Sequence, residues 1–168
     1  NSKRENMIYI LSQAIQSGKT TTLMEAVSQS HSIGGFLSPT VDTLRQLYDI
    51  NNKIHIDFEK AEPDNTTIRV GRFSFIKESF SIAADWVIEH YSNPNISCII
   101  IDEIGKLELQ NEGFDKLTKQ LLQLKWTTKD CVLIIRDFLL VDVVDKYKIT
   151  YYKIITLTEL TDKIDSLS

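Results

Sequence analysis

Gly18, Lys19 and Thr20 stand together, with Thr21 and Thr22 directly after them. Where such residues open a helix, the unpaired backbone N–H groups converge on one point and hold an anion. A lysine there places positive charge on the β and γ phosphates of a nucleotide, and the next hydroxyl is a ligand for Mg²⁺. Thr21 is in reach of an α-phosphate. The segment Gln13-Ala14-Ile15-Gln16-Ser17-Gly18-Lys19-Thr20 follows a short apolar run, Met7 to Leu11, and precedes Leu23, Ala26 and Val27 at helical spacing. This strand, loop and helix is the context that a G-x-x-x-x-G-K-[ST] loop requires. Gln13 stands where the pattern has its first glycine, and Gln16 where many such loops carry another. Glycine permits backbone angles there that cost other residues about 1 kcal/mol or more.

A second group of acids complements the loop. The apolar run Cys98 to Ile101 ends in Asp102-Glu103. An aspartate at a hydrophobic strand tip holds Mg²⁺ opposite Thr20. Glu103, one residue on, is placed to orient or deprotonate a water attacking the γ-phosphate. Such acid pairs also serve as plain caps and surface residues, so the inference comes from the two features together. Arg136 ends the run Cys131 to Ile135. Strand tips of a parallel sheet line one crevice, so Arg136 is either a charge stabiliser there or a surface partner of Asp137. Arg45, Arg69 and Arg72 are read as structural or base-proximal, and Trp86 and Trp126 as packing residues.

These groups need a scaffold, and the hydrophobic pattern supplies one. Ile33 to Leu37 and its Gly34-Gly35 pair predict a short strand that breaks at Pro39. Leu47 to Ile50 and Ile54 to Phe58 flank Asn51-Asn52, two residues that tolerate positive φ and favour a tight hairpin. Ile68 to Phe75 alternates well enough for one strand. Phe80, Ala83, Ala84, Val87, Ile88 and Tyr91 lie on one helix face. Ile96 to Ile101 is apolar on both faces, as in a central parallel strand. A helix (Phe114, Leu117, Leu121, Leu124), the Cys131 to Ile135 strand and a further helix (Leu139, Leu140, Val143, Val144, Tyr147) follow. A strand over Thr150 to Leu157 and a last helix capped by Thr158 close the chain. The expectation is one α/β domain over residues 1–168: a mainly parallel sheet flanked by helices, with an antiparallel insert near residues 33–75.

Composition narrows the function. The 168 residues carry 19 Lys and Arg against 23 Asp and Glu, a net charge of −4. That balance argues against a nucleic-acid binder, which needs a basic footprint. No apolar stretch approaches the roughly 18 residues of a membrane helix, so no membrane partner is expected. The polar start lacks secretory character and an initiator Met, as a cut from a longer chain would. Cys98 and Cys131 sit in apolar runs and read as buried thiols of a cytoplasmic protein. His31, His55 and His90 show no metal-ligand spacing.

The chain resembles the P-loop nucleoside-triphosphatase family first described from thermophiles. Ser17 to Leu23 is similar to its loop and helix start, and Gly35-Phe36-Leu37-Ser38-Pro39 to its Gly-Phe-x-(Thr/Ser)-Pro segment. Arg69-Val70-Gly71-Arg72-Phe73 resembles its Val-Gly-(Arg/Lys)-Tyr element, with Phe80 in the place of a following helix Phe. Ile101-Asp102-Glu103-Ile104-Gly105-Lys106-Leu107-Glu108-Leu109 resembles its Ile-Asp-Glu-Ile-Gly-x-Met-Glu-Leu signature, and Gly113-Phe114 and Ile135-Arg136-Asp137 follow in place. The resemblance spans about residues 7 to 160. It implies a RecA-like fold, with the Cys131 to Ile135 strand between the loop strand and the Asp102 strand. It also implies Mg²⁺-dependent cleavage of nucleoside triphosphates to diphosphate and phosphate, with broad base tolerance. The nucleotide contacts expected are Gln13, Ala14, Ile15, Gln16, Ser17, Gly18, Lys19, Thr20 and Thr21. Thr20 and Asp102 are the expected metal ligands, and Glu103, Lys19 and Arg136 the catalytic set. A monomer is expected. A non-hydrolysing nucleotide-binding module, or a kinase acting on a small acceptor, is the alternative.

Overall fold

The computed structural model describes residues 7–13 and 18–167. Strand β1 (Met7–Gln13) precedes helix α1 (Lys19–Val27), and β2 (Ile33–Leu37) follows. Six short strands come next: β3 (Thr40–Val41), β4 (Leu44–Asp49), β5 (Ile54–Asp57), β6 (Glu59–Lys60), β7 (Thr67–Val70) and β8 (Phe73–Ile76). The remainder alternates. Helix α2 (Lys77–Ser92) leads to β9 (Cys98–Ile104), α3 (Lys106–Leu109) and α4 (Asp115–Gln123). Then come β10 (Asp130–Arg136), α5 (Leu140–Tyr147), β11 (Lys153–Ile154) and α6 (Leu157–Ser166). No described helix is long and apolar enough to cross a membrane.

The larger sheet has the order β11-β1-β10-β9-β2-β4-β3, with β5 also paired to β4. From β11 to β2 every neighbour is parallel, and β4 turns the edge antiparallel. β10 therefore lies between β1 and β9, the order the resemblance implied. Because helices cover both faces, the inner strands are apolar on both. Ile99 and Ile101 of β9, with Cys131, Leu133 and Ile135 of β10, join one hydrophobic cluster with Ala83 and Val87 of α2, Leu117 and Leu121 of α4 and Val143 of α5. Their alternate neighbours Cys98, Ile100, Val132 and Ile134 join another with Leu23 and Val27 of α1 and Leu160 and Ile164 of α6. Trp126 is fully buried and Trp86 packs at the margin of the first cluster, so both are packing residues.

Gly35 fixes the approach of β2 to β9. Its φ is +90°, and a Cβ there would lie 1.9 Å from the Ile100 carbonyl oxygen. Its N–H donates to Nδ1 of the buried His90 at 2.9 Å, which ties α2 to the sheet.

Several local expectations change. Ile33 to Leu37 pairs parallel with β9 and, through Phe36 and Leu37, antiparallel with β4, so it joins the parallel sheet to the antiparallel part. Residues 68–75 form two strands: the chain turns at Gly71-Arg72, and β7 pairs back onto β8 in a small three-stranded sheet with β6. Alternation alone does not register a reversal at a residue pair. The hairpin at Asn51-Asn52 is present between β4 and β5. The positive φ falls on Lys53 instead, while the Asn51 and Asn52 N–H groups donate to the Asp49 carboxylate. The last strand is confined to Lys153–Ile154, and Thr156, rather than Thr158, caps α6 by accepting the Glu159 N–H at 3.1 Å. Glu159 returns a bond to the Thr156 N–H, a capping box.

Candidate functional site

The C-terminal tips of β1, β10, β9 and β2 meet the start of α1 at one end of the sheet. Gly18 precedes α1 with φ +74°, the left-handed region that favours glycine, and its carbonyl accepts the Thr22 N–H at 3.2 Å. Lys19, Thr20 and Thr21 form the first turn. Gln13 ends β1 opposite Arg136 of β10. Ala14, Ile15, Gln16 and Ser17, all expected nucleotide contacts, lie outside the described residues, as does the Gln13 side chain.

On β9, Asp102 is 1% exposed. Its Oδ1 accepts from Lys19 Nζ at 2.8 Å, and its Oδ2 from the Ser38 N–H at 3.2 Å. The Ser38 hydroxyl donates to the Asp102 carbonyl at 2.9 Å. Ile134 pairs with Asp102 and Ile135 with Ile104, so Glu103 is the extra residue of a bulge. Bulges re-aim a side chain at a sheet's rim. Here Glu103 Oε2 lies 3.9 Å from Lys19 Nζ, and Oε1 accepts from Arg136 Nε at 3.1 Å. Arg136 therefore pairs with Glu103 rather than with Asp137 as a plain surface residue.

Behind the acids, Glu108 holds the following turn. It is buried, and its two carboxylate oxygens accept the Gly105 N–H at 2.6 Å and the Phe114 N–H at 2.8 Å. Burial pushes its carboxyl above the usual carboxylate range, against the pull of those two N–H groups. Asp115 receives the Tyr147 hydroxyl at 2.6 Å and Lys146 at 3.0 Å, which docks α5 on the same turn.

A cavity of about 560 Å³ opens over these groups. That is within the range of small-molecule sites. Gly18, Lys19, Thr20 and Thr21 line it together with Ser38, Asp102, Glu103 and Arg136. The antiparallel strands and their turns add Thr40, Thr43, Arg45, Glu59, Arg72 and Phe73 to the lining. The cavity lining thus brings together Gly18, Lys19, Thr20, Thr21, Asp102, Glu103 and Arg136, while Gln13 and Arg69 are not among the lining residues. Sequence reasoning missed Ser38, Thr43 and Glu59 as site residues. Ser38 had a signal, since it follows an apolar strand in the Gly35 to Pro39 segment; Thr43 and Glu59 had none. The oxygen donors of Thr20 and Asp102 in one cavity suit a hard divalent cation.

A parallel sheet with a glycine-lysine-threonine helix start facing an acidic tip two strands away is the architecture of the P-loop nucleoside triphosphatases. The family described as NTPase matches residues 8–164, and the chain belongs to it. Among solved structures, it is similar to THEP1 from the hyperthermophile Aquifex aeolicus, with TM-score 0.68, 20% identity, and coverage of 96% of this chain and 97% of that one. It is also similar to a human cancer-related nucleoside triphosphatase, with TM-score 0.63, 20% identity, and coverage of 96% of each chain. No curated protein sequence matches it.

Proposed function

We propose that the chain is a Mg²⁺-dependent nucleoside triphosphatase that hydrolyses ATP, GTP and related triphosphates to the diphosphate and phosphate. The observation that carries this reading is the Lys19 Nζ to Asp102 Oδ1 contact of 2.8 Å with Glu103 beside it. It brings a phosphate-binding cation, a metal-binding acid and a general base to one cavity.

Lys19 and the N–H groups opening α1 bind the β and γ phosphates. Thr20 and Asp102 would hold the Mg²⁺, which when bound offsets phosphate charge. Glu103 orients the attacking water. The water oxygen bonds to the γ-phosphorus as the bond from that phosphorus to the β–γ bridging oxygen breaks. The electron pair stays with the diphosphate, and the water proton passes to Glu103. Arg136 is a positioning residue, holding the Glu103 carboxylate by one of its oxygens.

Phosphate release from ATP and GTP with Mg²⁺ tests the reading. Wild type is expected to turn over, Glu103→Gln to lose about 10²- to 10⁴-fold in kcat with nucleotide still bound, and Lys19→Ala to lose binding as well. Wild-type release no greater than that of both variants, with nucleotide bound, would instead mark a non-hydrolysing binding module.

A further inference from the structure

Lys19 and Arg136 are already engaged by carboxylates, Lys19 by Asp102 and Arg136 by Glu103. Arg45 of β4 is not. Its guanidinium has no hydrogen-bond or carboxylate partner among the described residues, and it lies 6.0 Å from the centroid of the Phe73 ring. Its backbone is fixed: the N–H donates to Glu59 Oε1 at 3.1 Å, the carbonyl accepts the Phe58 N–H at 3.2 Å, and the residue pairs with Thr40 in the sheet. The side chain is half-buried. A partly desolvated cation on a fixed backbone, with no counter-ion among the described residues, is costly unless an anion arrives to meet it.

The surrounding cavities say where that anion sits. Arg45 lines the main cavity together with Lys19, Thr20 and Glu103. Two smaller cavities flank it, of about 70 and 160 Å³, and both are lined by Arg45 and Glu103 together. Arg72 lines only the main cavity; it is exposed, with its guanidinium 5.0 Å from the Phe73 centroid. Arg136 also lines the main cavity and the 160 Å³ one, but Glu103 holds its Nε; Arg45 is the arginine that lines all three cavities with Glu103 while its guanidinium has no carboxylate partner among the described residues.

We propose that Arg45 is a catalytic residue, contacting the γ-phosphate of the bound triphosphate and stabilising the charge that spreads over its oxygens during transfer to water. This rests on the nucleoside-triphosphatase reading and extends it: the arginine is supplied in cis by the antiparallel strands rather than by the parallel sheet. A guanidinium presents a planar fork of donors matched to two phosphate oxygens, which an ammonium lacks.

The test compares wild type with Arg45→Ala, Arg45→Lys and, as a control outside the cavity, Arg69→Ala. Steady-state phosphate release from ATP with Mg²⁺ is measured beside titrations of ADP and of a non-hydrolysable triphosphate analogue. Arg45→Ala is expected to lower kcat about 10²- to 10³-fold. It should weaken the triphosphate analogue at least tenfold while ADP binding stays within threefold, which also shows that the variant is folded. Arg45→Lys should recover less than a tenth of the lost kcat, and Arg69→Ala should match wild type. A kcat within threefold of wild type in Arg45→Ala, or equal losses for ADP and the analogue, overturns the proposal. If wild type releases no phosphate, the hydrolase reading fails, and the ratio of analogue to ADP affinity still decides whether Arg45 meets the terminal phosphate.

Discussion

Lys19 and Asp102 neutralise each other, and Lys19→Ala tests the consequence. Lys19 is 14% exposed and its partner Asp102 only 1%, with 2.8 Å between Nζ and Oδ1. Removing the lysine leaves a buried carboxylate whose remaining donor among the described residues is the Ser38 backbone N–H at 3.2 Å. Breaking a fully buried pair costs about 3–5 kcal/mol, and an exposed one about 1 kcal/mol or less. The residual exposure of Lys19 puts this case at about 2–4 kcal/mol. For a chain of this size that lowers Tm by about 5–15 °C. Asp102→Asn in the Lys19→Ala background removes the stranded charge and should restore at least half of the loss. Scanning calorimetry of the four proteins without nucleotide completes the cycle. A Lys19→Ala protein melting within 2 °C of wild type, or a double variant no more stable than Lys19→Ala, would refute the claim that Lys19 is the counter-ion of Asp102. The same scans with excess Mg²⁺ and ADP should raise Tm in wild type and leave Lys19→Ala unmoved, because that variant lacks the ammonium that binds phosphate.

Gly35→Ala should fail to accumulate as folded protein, since its Cβ would meet the Ile100 carbonyl oxygen at 1.9 Å; a soluble variant with wild-type Tm would contradict this. Glu108→Ala strands the buried Gly105 and Phe114 N–H groups, so urea unfolding should show a loss of about 2–4 kcal/mol. Stability should also fall in acid through Asp115. Burial raises its carboxyl, but hydrogen bonds from Tyr147, Lys146 and Lys119 outweigh this and hold it below the usual carboxylate value. A depressed folded value means that its contribution is complete above the unfolded value of about 4 and is lost as pH falls through the folded one. Urea unfolding across pH 2–6 should therefore show a shallower acid limb in Asp115→Asn than in wild type.

Much of the site's chemistry was legible in the sequence because it is local. The Gly18-Lys19-Thr20 run opens a helix, and the apolar run Cys98 to Ile101 gives way to Asp102-Glu103 within the same strand, which continues to Ile104. The same runs identify the parallel strands, whose burial on both faces leaves no polar alternation. What pairs with what was not legible. That Arg136, read as a charge stabiliser or a partner of Asp137, instead meets Glu103 goes with a bulge that shifts β9 by one residue against β10, and a bulge has no composition of its own. The turn at Gly71-Arg72 and the placing of β3, β4, β6 and β8 at the cavity were likewise decided in three dimensions, by strand edges finding partners. Arg45 illustrates the division. Its type was visible from the start, but the lack of a counter-ion among the described residues and the cavities it shares with Glu103 exist only once strands distant in the chain close over the same end of the sheet. Charge neutrality is a property of neighbours in space, and the order of residues along a chain does not contain it.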